Sequence, residues 1–123
     1  MLADFPTESN LQQDMIENTI CEIEAKIRGA EANAERKQEL LKLLGTLKTE
    51  VAELSKTQAE QADSIAGFAR VSAHEATRAE PNPELQELSL QGLRSSVEDL
   101  EQSHPRLTQA VNRFSKMLSD WGI

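Results

Sequence analysis

A chain of 123 residues, 38% hydrophobic and only 3% aromatic, has material for one domain with a lean core. With no tyrosine and a single tryptophan, a β-rich interior is excluded in favour of helices built from Ala, Glu, Gln, Leu, Lys and Ser. A net charge of −8, with 13 basic residues dispersed among 21 acidic ones, argues against nucleic acid and against an anionic membrane surface, both of which need clustered Lys and Arg.

No basic tract exceeds Arg36-Lys37, and no apolar run approaches the length of a membrane span. The start, MLADFPTESN, lacks the basic and apolar regions of a secretory signal. The lone Cys21 has no internal disulfide partner, which suits a reducing compartment. These features together predict a cytoplasmic protein. The expected fold is all-α: an elongated, coiled-coil-like bundle made of a helical hairpin and a kinked C-terminal helix.

In chain order, residues 1–8 read as a leader in which Phe5-Pro6 blocks early helix growth. Residues 9–78 read as an N-terminal helical pair. Ser9 and Gln12 have capping-box spacing, and Ile16, Ile20, Ile23 and Ile27 then recur at four, three and four, the period of one helix face. A second seam follows at Leu40, Leu44, Leu47, Val51 and Leu54, out of register with the first. The slip marks either a stammer in one long helix or a turn near 29–33. Gly29 as a left-handed C′ residue and Asn33 as N-cap favour the turn.

From Ala34 the second helix is expected to run to about Arg78, a rod of roughly 65 Å at 1.5 Å per residue. Gly45 lies beside its seam, where a small residue would admit a close neighbour. After Leu54 the seam weakens through Gln58 and Gln61 before Ile65 and Phe68 resume it. Residues 79–84 form a proline-rich turn, with Asn82 capping a helix that opens at Pro83.

Residues 85–123 read as a C-terminal helix carrying Leu85, Leu88, Leu90, Leu93, Val97 and Leu100, and then Leu107, Val111, Phe114, Leu118 and Trp121. The heptad step from Leu93 through Leu100, Leu107 and Phe114 to Trp121 crosses Ser103-His104-Pro105 without losing phase. A kink or tight break at 103–105 between nearly collinear segments is the expected outcome. Gly122 stands where a left-handed residue would close the helix, so this helix is expected to be a finished unit.

The same stretch carries a resemblance. Ser103-His104-Pro105, Leu107-Thr108, Asn112-Arg113, Leu118 and Gly122-Ile123 resemble the ending of a family of small bacterial proteins, a domain of unknown function that finishes ESHP-x-L-T…N-R…L-x-x-x-G-I. Gln102 replaces the acidic residue that usually precedes the serine. The match covers about the last quarter of the chain. It implies a bacterial, soluble, helical protein, and it carries no catalytic residues with it.

Chemistry is sparse. His74-Glu75 opens an H-E-x-x-H spacing that Arg78 breaks, and the only other histidine is His104, so no metal site is expected. No phosphate loop, cofactor motif or activated serine is present: Ser95, Ser96, Ser103, Ser115 and Ser119 lack a convergent histidine and acid. Cys21 falls one position off the apolar stripe and reads as an incidental flank residue, whereas His104, beside a proline, reads as a capping or packing histidine. No enzyme activity is expected.

A narrow seam buries little area per residue, so part of it must be covered by another helix of the same chain or by another chain, and oligomerisation, most simply a dimer, is expected. Two functions follow. One is a self-assembling structural protein that uses these seams. The other is an adaptor that offers a seam, or an exposed end at Phe114, Met117, Leu118 and Trp121, to a helix of another protein.

Overall fold

The computed structural model describes residues 8–31 and 33–121, with side-chain surroundings from Asp14 onward. The regular elements in that range are all helical: α1 (Glu8–Gly29), α2 (Ala34–Ser55), α3 (Ala59–Thr77), α4 (Pro83–Ser95) and α5 (Pro105–Trp121), with a single 3-10 turn at Glu98–Leu100. Residues 1–7 of the leader and the Gly122-Ile123 terminus lie outside the described residues, as do the side chains of Ser9 and Gln12 in the expected capping box, while Glu8 already belongs to α1.

Long-range hydrogen bonds give the direction of each helix. Lys37 Nζ donates to the Arg28 carbonyl at 3.0 Å, so α2 begins where α1 ends. Gln61 Nε2 reaches the Ser96 carbonyl at 3.0 Å, joining the start of α3 to the end of α4. Gln86 Nε2 reaches the Leu118 carbonyl at 2.8 Å, joining the start of α4 to the end of α5. The chain therefore runs up, down, up, down and up, and α3 packs against all four other helices.

That central position explains the composition of α3. Its inner face is Ala62, Ile65, Ala66, Ala69, Ala73 and Ala76, all buried. Small side chains let the α3 backbone approach several neighbours at once, while the larger Ile and Leu side chains of α1, α2 and α5 fill the space around it. Asn33 caps α2 by accepting from the Glu35 N–H at 2.7 Å. Asn82 caps α4 by accepting from Glu84 and Leu85, with Pro83 in the first turn.

Four expectations are corrected. The long second helix is two helices, broken at Lys56-Thr57-Gln58. Ser55 Oγ donates to the Ala52 carbonyl at 2.6 Å and Thr57 Oγ1 to the Leu54 carbonyl at 3.4 Å. Such side chains compete for the carbonyls that would continue the helix, and Gln58 leaves it at φ −137, ψ 69. The polar residues after Leu54 mark a turn and not a weakened seam. Gly29 ends α1 without a left-handed conformation, since no glycine among the described residues has a positive φ.

The collinear kink at 103–105 is likewise replaced by a reversal. α4 stops at Ser95, the 3-10 turn carries Val97 and Leu100 into the core, and α5 returns antiparallel to α4. The seven-residue step survives because these two turn residues plug the end of the core, not because a helix continues through them.

The apolar seam, finally, is closed within one chain. Ile16, Ile20, Ile23, Ile27, Leu40, Leu44, Leu47, Val51, Leu54, Leu93, Val97, Leu100, Leu107, Val111, Phe114 and Leu118 are each at most 2% exposed, and Trp121 is half-buried against them. These residues form an intramolecular core and are not open to a second copy. Folding α3 to α5 back over α1 and α2 supplies the cover that a rod-like arrangement would have sought from a partner.

Two small substitutions test the packing. A Cβ at Gly45 meets nothing within 4 Å, so no neighbour approaches there. Gly45→Ala in mid-α2 should stabilise the protein by about 0.5–1 kcal/mol through helix propensity alone. Denaturant unfolding reads the gain, and a loss would mean that a neighbour does approach. Ser115 Oγ is buried with no hydrogen-bond partner among the described residues. Ser115→Ala removes that orphaned hydroxyl and should raise stability by about 1 kcal/mol, visible as a higher denaturant midpoint.

Candidate interaction surface on helices α3 and α4

Helix α4 carries two apolar stripes. At 100° per residue, Leu90 and Leu93 face the core, whereas Leu85 and Leu88 point roughly 140° away from them. The first pair is buried, while Leu85 is 44% and Leu88 62% exposed. On the adjoining edge of α3, Phe68 and Val71 are 38% and 41% exposed. Large apolar side chains placed singly on a surface are ordinary, but four on neighbouring helices are not.

The two pairs belong to one face. Gly92 lies against the Phe68 ring so closely that a Cβ at position 92 would overlap it. Phe68 and Gly92 are thus opposite each other on antiparallel helices. Counting one turn along each antiparallel helix from that pair leads to Val71 on α3 and Leu88 on α4, with Leu85 a further turn along α4. The absent side chain at 92 is what leaves room for the ring. At the other end of this strip, Gln61, Ser64, Phe68, Gly92, Glu98 and Asp99 surround an open cleft of about 490 Å³. Gln61 Nε2 also donates to Asp99 Oδ1 at 2.9 Å, which holds that carboxylate at the rim of the cleft.

The exposed end expected at Phe114, Met117, Leu118 and Trp121 does not exist. Phe114 and Leu118 are fully buried, and Met117 and Trp121 pack against the core. Of the five large apolar side chains exposed among the described residues, four lie instead on α3 and α4, and the fifth is Met15 on α1. The signal of the α3–α4 surface is the pair of divergent leucine stripes on one short helix, at residues 85 and 88 and at residues 90 and 93, a spacing that also reads as a single seam.

The polar residues singled out by the sequence fall into structural roles. Arg78 Nη1 donates to Glu75 Oε1 at 2.8 Å and so neutralises a carboxylate that is 5% exposed. Lys26 Nζ donates to His74 Nδ1 at 3.2 Å, linking the ends of α1 and α3. The His104 carbonyl accepts from the Thr108 backbone N–H at 3.1 Å and from Thr108 Oγ1 at 3.2 Å. Ser103 Oγ lies 3.0 Å from His104 Nδ1. The Ser-His-Pro-x-Leu-Thr sequence therefore opens α5, with Leu107 and Thr108 buried. Cys21 is exposed on α1.

No cluster of three or more His, Cys, Asp or Glu side chains suited to a metal occurs among the described residues, and no described helix is long and apolar enough to cross a membrane. No family model, no curated protein and no solved structure matches the chain.

Proposed function

We propose that this protein is a non-enzymatic interaction module, an adaptor whose α3–α4 face receives a helix of a partner protein. The single observation that carries this reading is the exposure of Phe68, Val71, Leu85 and Leu88 on one face of a chain whose core is otherwise closed. Two adjacent antiparallel helices form a shallow groove in which a third amphipathic helix buries its apolar side. The packing of α1 on α2 is read as coiled-coil-like within the single chain. The C-terminal pattern from Ser103 to Ile123 groups the protein, in this proposal, with the small bacterial proteins of unknown function that it resembles.

Self-assembly is the second reading, favoured by the same face, because two antiparallel helices can pack isologously on a copy of themselves. Dye binding tests the surface itself. The native protein should enhance the fluorescence of an anilinonaphthalene sulfonate dye, and Leu88→Glu should remove most of that signal while leaving helical content and unfolding midpoint nearly unchanged. A signal that survives Leu88→Glu, or that is absent from the native protein, would count against an open apolar face.

A further inference from the structure

We propose that the occupant of the α3–α4 face is a basic amphipathic helix from a different protein, whose apolar stripe lies along Phe68, Val71 and Leu88 and whose Arg or Lys enters the cleft at Glu98 and Asp99. This rests on the reading of α3–α4 as a docking face and adds the chemistry of what docks there.

Charge selects the occupant. The cleft that ends the apolar strip carries two carboxylates, Glu98 and Asp99, and no lysine or arginine among the described residues that line it. Both acids stand on the 3-10 turn directly after α4, and Glu60 lies in the first turn of α3, one residue before Gln61 of the cleft. Two cations at this end of the helices are tied to their own carboxylates: Arg94 Nη2 to Glu87 Oε1 at 3.2 Å, and Lys56 Nζ, at the turn into α3, to Glu53 Oε2 at 3.2 Å. A ligand that covers the strip therefore meets net negative charge at the cleft end, and a cationic side chain there gains attraction and on-rate. The same charge discriminates against a second copy of this chain, which would bring its own −8 to the contact. From Leu85 to Asp99 the face is long enough for about three turns of helix, roughly 16 Å.

The test uses two 14-residue helical peptides with leucines at i, i+4 and i+7, one with two arginines on its last turn and a twin with two glutamines there. Titration calorimetry against the full chain should show the arginine peptide binding about tenfold tighter at low salt, with the gap closing as salt screens it. Glu98→Gln with Asp99→Asn should shrink the preference to within about threefold while the glutamine peptide binds as before. The comparison between wild type and double variant cancels any difference in helicity between the peptides. Leu88→Glu should abolish binding of both.

Equal binding of the two peptides to the wild type would overturn the charge inference and leave the docking face standing. A preference that persists in the double variant would overturn the assignment to this cleft. Binding that survives Leu88→Glu, or no binding of either peptide, would overturn the inference together with the face on which it rests.

Discussion

Phe114→Ala is expected to lower the unfolding free energy by about 3–5 kcal/mol, the range for deleting a large aromatic side chain from a core that cannot collapse around the gap. Phe114 is fully buried midway along α5 and belongs to the cluster that joins α5 to α2, α3 and α4. A loss of that size is a large fraction of the stability of a domain this small. Urea unfolding followed by circular dichroism measures it directly. A change well below 1 kcal/mol would mean that α5 does not hold the bundle together. Trp121 provides a graded comparison: half-buried at the end of α5, it should cost clearly less when replaced by alanine.

The second large effect concerns size in the opposite sense. Ala69 is 2% exposed in the middle of the inner face of α3, the helix that touches every other one. Ala69→Leu adds three carbons where the α3 backbone is held close to its neighbours, and should destabilise by about 1–3 kcal/mol through forced displacement of packed helices. Helix propensity barely changes between these residues, so the effect isolates packing. A neutral or stabilising result would show that the alanine face borders empty space.

What is legible in the sequence, and what is hidden, divides along these residues. The isoleucine stripe of α1 and the leucine stripe of α2 can be read because large apolar side chains recurring at a helical period mark the buried face of a helix. The alanine face of α3 cannot, because alanine is equally common on exposed helix surfaces and gives no periodic contrast. Without it, α3 reads as a fading extension of α2, and the core reads as too small for one chain. The turn at Lys56-Thr57-Gln58 contains neither glycine nor proline and depends on Ser55 and Thr57 bonding to backbone carbonyls, a choice that local propensity leaves nearly balanced.

At the candidate face, Leu85 and Leu88 are visible as apolar residues, but which of two stripes turns inward depends on where α5 comes to rest. That is decided by the reversal at 96–104, whose Val97 and Leu100 keep a heptad spacing that suggests the opposite. The Asn82-Pro83 cap, by contrast, announces its helix unaided, since the cap and the proline both act within one turn.

In the proposed picture, one chain closes its own core and leaves the α3–α4 face to be covered by a different protein. Light scattering of the purified protein across a wide dilution series tests this most directly. The expected result is 13.7 kDa at every concentration, the mass of a single chain. A stable multiple of that mass, reverting to the monomer in Leu88→Glu, would contradict it by showing that a second copy covers the face.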